Sequence, residues 1–299
     1  MKKFSGGLVA LCLFFGMACI ASAQESKSMG HKPPKVLTIT REFVKPGKYG
    51  FAHDKTEGMF VSAMAAAKWP THYLAMDSVT GRPRTLFFTG YESFEAWEKD
   101  VQGQQKNATL AAALDRATEA DGPLLESTET SAFFYREDQS YNAPVDIPRM
   151  RYFEIEAFKV RPGHEKDWDD AVKLVMAAYA KTVPDAHWAM YQAVYGSPGG
   201  VQYIVITPMK SASEIDAAFA NNNPKFMAAM GADGMKKLSE LSASAIEESF
   251  TNLFAFSPKK SYVAEDWIKA DPEFWKPKAA AASGKKAEEK KSEEKAAKP

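Results

Sequence analysis

Short runs rich in Val, Ile, Phe and Tyr alternate along this chain with longer runs in which apolar residues recur every three or four positions. The first pattern is typical of β-strands and the second of amphipathic helices. In the helical run after His164, for example, Trp168, Val172 and Tyr179 fall on one face. From Lys35 onward, the runs predict a strand, a helix, two strands, one or two helices and a closing strand.

The whole order then repeats. The stretch "KVLTITREFVKPGKYG" opens the first unit and "RYFEIEAFKVRPGHEK" opens the second. In both, a basic residue, Pro and Gly join the first strand to the first helix, at positions 45–47 and 161–163. Pro fixes φ and blocks strand pairing, and Gly allows the sharp reversal. The recurrence indicates a tandem duplication of one β-α-β-β-α-(α)-β unit.

The element order, the basic-Pro-Gly joint and the duplication resemble the dimeric α/β-barrel superfamily over about residues 35–260. That superfamily includes antibiotic-biosynthesis-monooxygenase-like and stress-responsive barrel domains. The resemblance implies an α+β fold of two tandem ferredoxin-like units, whose antiparallel sheets pair into a pseudo-dimeric α/β barrel within one chain. A sheet with helices on one face leaves its other face to be covered, and a second copy covers it. No catalytic motif supports the resemblance, so it implies little about the reaction.

These patterns divide the chain into six parts. We predict a signal peptide (1–23), a linker (24–34), ferredoxin-like repeat 1 (35–146), ferredoxin-like repeat 2 (147–260), a segment that packs back over the body (261–275) and a disordered Lys/Ala/Glu tail (276–299).

The first residues predict export. A positive start is followed by an apolar stretch, Leu8–Ile20, and then by the small-residue cleavage signal Ala21-Ser22-Ala23 before Gln24. We therefore expect a periplasmic or secreted protein. Both cysteines lie inside this signal, so the mature chain has no disulfide and no cysteine ligand for a metal.

The distribution of charge along the chain indicates which classes of partner to expect. The Lys-rich tail is net positive and leaves a mildly acidic body, which argues against nucleic acid as a partner. The tail is a candidate contact for an anionic envelope surface. No later segment is apolar enough to predict a membrane span.

Two histidines are candidate catalytic residues. His72 and His187 each open the second strand of their repeat, so they should lie at matching positions. Duplicated structural histidines explain the same recurrence. Other residues are candidates for binding a small molecule between sheet and helices: Tyr73, Trp188, Tyr191, Trp69 and His53.

The sequence contains no recognisable metal-binding motif. Cysteine ligands and H-x-x-x-H or H-E-x-x-H pairs are absent, so we predict no metal site and no cofactor. Haem bound through His72 or His187 is a minor alternative. Glu154 and Glu156 share one face of their strand, and we expect that face to look into the barrel.

Our first hypothesis is an exported protein that binds a small apolar or aromatic ligand between sheet and helices. Two alternatives stay open: a cofactor-independent monooxygenase-like enzyme, which the resemblance implies, and an envelope-associated interaction module. The sequence does not decide whether the chain is an enzyme.

Overall fold

The computed structural model describes residues 31–276. The predicted signal peptide, most of the linker and the tail beyond residue 276 lie outside the described residues. The first half contains β1 (Val36–Val44), α1 (Phe51–Ala66), β2 (Tyr73–Ser78), β3 (Arg84–Tyr91), α2 (Phe94–Lys106), α3 (Ala108–Asp121) and β4 (Leu125–Tyr135).

The second half shows the same order with a longer last helix. It contains β5 (Tyr152–Val160), α4 (Glu165–Thr182), β6 (Ala189–Tyr195), β7 (Tyr203–Met209), α5 (Ser213–Ala217), α6 (Asn223–Ala245) and β8 (Ile246–Phe256). Two short helices follow, α7 (Glu265–Ala270) and α8 (Pro272–Trp275).

The strands close into one antiparallel barrel of eight strands, in the order β1-β3-β2-β8-β5-β7-β6-β4. Each half contributes four neighbouring strands. The halves are joined where β2 pairs with β8 and where β4 pairs with β6. The predicted α+β class and the closure of the barrel within one chain are confirmed.

Strand alternation separates the barrel interior from the layer of helices. On β1, Leu37 and Ile39 pack into the interior cluster, together with Phe153 and Ile155 of β5. The alternate residues of β1, which include Thr40 and Glu42, face the helices, as the two-residue period of a strand requires.

The two halves differ on the helix side of the barrel. In the second half, a continuous cluster that includes Trp168, Tyr179, Trp188 and Phe226 fills the space between sheet and helices. The corresponding cluster of the first half is small, with Ala63, Met64 and Leu110 as its buried members. Space between sheet and helices is therefore left in the first half.

The two Pro-Gly joints have the backbone conformation that the sequence predicts. Gly47 and Gly163 have φ angles of 75° and 84°, in the left-handed region that glycine tolerates.

The C-terminal segment covers one end of the barrel. Trp275 is buried in the interior cluster, and its indole Nε1 donates to Pro148 O at 2.8 Å. No helix within residues 31–276 is long and apolar enough to cross a bilayer.

Candidate functional site

Four ionisable side chains meet beneath the helices of the first half. Glu42 comes from the end of β1, His53 and Glu57 from α1, and Asp121 from the end of α3. His53 Nε2 lies 3.1 Å from Glu42 Oε2, 3.5 Å from Glu57 Oε1 and 3.7 Å from Asp121 Oδ1. One ligand atom from each residue falls within 4.8 Å of all the others.

Local structure explains the convergence. His53 and Glu57 are four residues apart, so they lie on one face of α1. Strand alternation turns Glu42 toward that face. Thr56 Oγ1 donates to Asp121 Oδ1 at 2.5 Å and so fixes the end of α3 against α1.

Burial makes this cluster electrostatically costly. His53 is fully buried, and Glu57 and Asp121 are 2% exposed. Burial and the charges of Glu42 and Asp121 raise the pKa of Glu57 far above its usual range. Burial, assisted by the charge of Glu42, also raises the pKa of Asp121. Glu57 therefore holds a proton at neutral pH, which a bound cation would replace.

Lys260 determines which ring nitrogen of His53 carries the proton. This buried ammonium lies 3.2 Å from His53 Nδ1, 2.8 Å from Asp77 Oδ1 and 3.3 Å from Asp54 Oδ1. Burial alone would raise the pKa of Asp77, but the attraction of Lys260 outweighs it, and the pKa is lowered. Because an ammonium group only donates hydrogen bonds, Nδ1 accepts, and the Nε2 hydrogen points at Glu42.

A cavity of about 350 Å³ borders the cluster, between the sheet and the helices of the first half. Its lining combines carboxylates with aromatic and apolar groups. Among these groups are Glu42, Glu57, Phe60, Met64, Tyr73, Phe87, Tyr91, Asp100 and Leu114. The Tyr73 hydroxyl is shielded from solvent and makes no hydrogen bond to any described residue. Burial raises the pKa of Tyr73, so this hydroxyl stays a proton donor.

The far end of this cavity, which we call the sheet–helix cavity, is organised by Asp100. Its carboxylate accepts from Trp69 Nε1 at 2.7 Å and from Thr71 Oγ1 at 2.6 Å. The Tyr91 hydroxyl and Gln104 Nε2 each donate to it at 3.0 Å. Trp69 therefore affects the cavity indirectly. Its indole helps to hold Asp100 in place, and Asp100 lines the cavity.

The prediction of no metal site and no cofactor is wrong, because the structure joins one imidazole and three carboxylates at the spacing of a metal site. Ligand atoms about 2.1 Å from a common ion stand roughly 3–4 Å apart, which matches the separations from His53 Nε2. Imidazole with carboxylates suits divalent zinc, manganese or iron. Glu57 Oε1 is buried, accepts no hydrogen bond from any residue of 31–276, and would gain a partner from an ion.

Haem ligation through His187 does not fit. Nε2 of this buried ring lies 2.9 Å from Pro208 O, and Nδ1 lies 3.3 Å from Asp185 O. Trp188 beside it donates from Nε1 to Gln139 O at 3.0 Å and belongs to the filled core of the second half. The structure therefore places His187 and Trp188 in structural contacts.

His72 and Tyr191 line a different cavity, inside the barrel at its α7–α8 end, with a volume of about 350 Å³. The His72 ring stacks on Tyr262 with centroids 4.7 Å apart. The Tyr191 hydroxyl donates to Pro34 O at 3.2 Å. Of the predicted site residues, Tyr73 lines the sheet–helix cavity and His53 lies in the cluster that borders it. The structure separates His72, Tyr191, His187 and Trp188 from this cavity.

Glu154 and Glu156 lie on the helix side of β5, so our expectation that they face the barrel interior is wrong. They share the face of Phe158, which packs in the helix-side cluster, whereas Phe153 and Ile155 point inward. Burial raises the pKa of Glu154 to about 7. This pair is remote from the cluster around His53, because it belongs to the other half.

Sequence reasoning missed Glu42, Glu57, Asp121 and Lys260. The one local signal was the spacing of His53 and Glu57, which places both on one turn of α1. Nothing local links either residue to Lys260, which is 207 positions from His53.

No family model matches the chain, and no curated protein matches it. Among solved structures, a proposed monooxygenase from Fusobacterium nucleatum subsp. nucleatum is similar at 9% identity and a TM-score of 0.50. That match covers 75% of this chain and 93% of that one. An anthrone oxidase-like protein matches at 16% identity and a TM-score of 0.46, with coverages of 75% and 92%. A chlorite dismutase variant from Candidatus Nitrospira defluvii matches at 9% identity and a TM-score of 0.45, with coverages of 80% and 96%.

Identities this low show the fold alone. The chain shares with the Fusobacterium nucleatum structure an α+β fold, which in this chain closes an antiparallel barrel of eight strands. The chemistry has to be argued from the residues of the site.

Proposed function

We propose that this chain is a metal-dependent oxidoreductase of the monooxygenase type that acts on a small aromatic molecule. The observation that carries the proposal is the position of the cluster: Glu42, His53, Glu57 and Asp121 can hold one ion, and two of them also line the sheet–helix cavity. This favours the enzyme hypothesis over simple carriage of an apolar ligand.

The cavity suits a flat molecule with one polar group. Phe60, Phe87 and Leu114 provide apolar and aromatic surface, and Tyr73 provides an unpaired donor. The Tyr73 hydroxyl would donate to a phenolic or carbonyl oxygen of the substrate. A buried donor left without a partner costs free energy, so a substrate that supplies an acceptor is favoured.

Glu42 and Glu57 are placed to transfer protons. Glu42 borders the cavity, and in the ion-free protein burial, together with the charge of Glu42, raises the pKa of Glu57 and keeps a proton on it. Glu42 would accept a proton from an activated carbon or hydroxyl of the substrate. In the ion-free protein the Nε2 hydrogen of His53 faces this carboxylate, and a bound ion would take the place of that hydrogen. A bound manganese or iron ion would supply Lewis-acid and one-electron chemistry with dioxygen, whereas zinc would supply Lewis acidity only.

The proposed overall reaction needs no separate reductant. An activated CH₂ group flanked by aromatic rings and one O₂ molecule become a C=O group and one H₂O molecule. Dioxygen is reduced, the substrate carbon is oxidised, and the two hydrogens of the carbon leave in the water.

The test begins with metal binding to the mature chain. We expect the metal-stripped protein to bind close to one equivalent of manganese, iron or zinc, measured by calorimetry and elemental analysis. His53→Gln and Glu57→Gln should each weaken binding at least roughly tenfold, because each removes one of four ligands. His164→Gln is the matched control, since His164 lies outside the cluster and is hydrogen-bonded to Asp167.

Substrate turnover is tested by oxygen consumption with a panel of anthrones and phenols. We expect Tyr73→Phe to lower kcat/KM while metal binding stays unchanged. A wild-type chain that binds none of the three metals, or binds them equally well without His53 and Glu57, would overturn the proposal.

We also propose that the two halves descend from a duplicated ferredoxin-like unit and that the protein is exported. The repeated element order and the two Pro-Gly joints support the first proposal, and the sequence of residues 1–23 supports the second. N-terminal sequencing of protein from the native envelope tests export, with a mature start at Gln24 as the expected result.

A further inference from the structure

A second cavity inside the barrel lies at the end opposite the α7–α8 segment. Its volume is about 330 Å³. It is lined by later residues of β1 and β5 and by the first residues of β3, whereas the cavity beside His72 is lined by the opposite ends of these strands. Neither the metal cluster nor the sheet–helix cavity shares a residue with it.

Three arginines reach this cavity, and two of them have no carboxylate partner. Arg82 is paired with Glu126 at 2.7 Å. Within residues 31–276, neither Arg41 nor Arg84 has a carboxylate oxygen within the 4.0 Å of an ion pair. Glu129 also lines the cavity opposite Arg41 on β4, but it is exposed and lies beyond that distance.

Neutral contacts hold both guanidinium groups in position. Arg41 Nη1 donates to Ser131 Oγ at 2.7 Å. Arg84 Nη1 donates to Arg82 O at 2.8 Å, and its guanidinium lies 4.9 Å from the centre of the Phe254 ring. Each group keeps further N–H donors that these contacts do not use.

Burial makes it unfavourable in free energy to keep Arg41 and Arg84 charged. Burial lowers the pKa of Arg41 to about 10, although the charge of Glu129 opposes this. Burial, with the charge of Arg82, also lowers the pKa of Arg84. Two partly buried cations near one another are stabilised when an anion joins them, and guanidinium groups match a carboxylate with paired hydrogen bonds.

Apart from the arginines, Glu129 and Asn252, the lining of the cavity is apolar. Its interior-facing lining comprises Ile39, Leu86, Ile155, Ala157, Val201, Ile204 and Phe254. An inorganic anion would satisfy the arginines and leave this surface without contacts. A neutral apolar molecule would fill the space and leave the arginines without a counter-charge.

We propose that this cavity binds a small carboxylate with an apolar body, its carboxylate on Arg41 and Arg84 and its body in the barrel interior. A medium-chain fatty acid or an aryl carboxylate has this chemistry. The site is separate from the proposed metal centre, so it does not depend on the proposed function.

The test is calorimetric titration of the mature chain with decanoate, decanol and sodium sulfate. We expect decanoate to bind and to raise Tm, and both other compounds to bind at least roughly tenfold more weakly. Arg84→Met and Arg41→Met should each weaken decanoate binding by a similar factor, and Arg41→Lys should retain part of it. Arg149→Met is the matched control, because this arginine is paired with Asp146 and lies outside the cavity.

Every outcome of these titrations either supports or overturns the proposed carboxylate site. Decanol or sulfate binding as tightly as decanoate would overturn it, as would unchanged decanoate affinity in folded Arg84→Met protein. The comparison of the three compounds uses only the wild-type chain, so a variant that fails to fold does not block the test. Decanoate should bind Glu57→Gln as it binds wild type, which separates this site from the metal centre.

Discussion

His53 owes its orientation to groups that lie far from it in sequence. Lys260 donates to Nδ1 and thereby turns the Nε2 hydrogen toward Glu42. Because Lys260 also contacts Asp77, the buried ammonium is neutralised on the side away from the cluster. This network makes full burial of the His53 ring tolerable.

At the residue scale, Glu154 should make the stability of the protein depend on pH. Its buried carboxylate oxygen Oε1 has no hydrogen-bond partner in the part of the chain that the structure describes, and burial raises the pKa of Glu154 from 4.5 to about 7. The folded state therefore holds an extra proton between those values, and stability falls as pH rises through that window. Glu154→Gln should remove this fall and be more stable than wild type above pH 7, by roughly 3 kcal/mol at most.

Urea unfolding at a series of pH values measures this effect. Glu119→Gln, at an exposed position on α3, is the control. Parallel stability curves for wild type and Glu154→Gln across the window would show that the carboxyl group is solvated in the folded protein.

At the scale of elements, the C-terminal helices complete the barrel interior. Trp275 of α8 packs on Phe256 of β8 and on Trp267 of α7. The chain reaches this position because Tyr262 bridges to Tyr73 at the start of β2. The apolar run around Trp267 predicted that this segment packs on the body, but its place over one end of the barrel depends on the curvature of the sheet.

Trp275→Ala should destabilise the protein by roughly 3–5 kcal/mol, because it removes a large buried ring and leaves a cavity. Trp275→Phe should lose less, since it keeps most of the packing and gives up the hydrogen bond to Pro148. Thermal and urea unfolding measure both changes. Equal, small losses in the two variants would mean that the segment is not held on the barrel.

At the scale of the whole molecule, each half supplies the cover for the other. Four strands of either half present an apolar inner face, with Leu37 and Leu74 in the first half and Phe153 and Ile206 in the second. Closure at β2–β8 and β4–β6 hides both faces and removes every open sheet edge. The chain therefore needs no second copy to complete its barrel.

Residues 31–146 produced alone should self-associate and bind a dye specific for exposed apolar surface, because their inner sheet face and both edge strands are uncovered. Residues 31–276 should be monomeric and bind little dye. Light scattering after size-exclusion chromatography measures the mass. A monomeric first half that binds no dye would contradict this account of the fold.

Local patterns in the sequence determined the elements, their repeated order and the alternation of side chains along the strands, but not which face of β5 points into the barrel. They did so because helix and strand periods and the Pro-Gly joints act over a few residues. Only the tertiary structure decided that Glu42, His53, Glu57, Asp121 and Lys260 meet, since these residues come from four separate parts of the chain. It also decided that bulky rings fill the helix side of one half and leave a cavity in the other, because packing depends on the summed shapes of distant side chains.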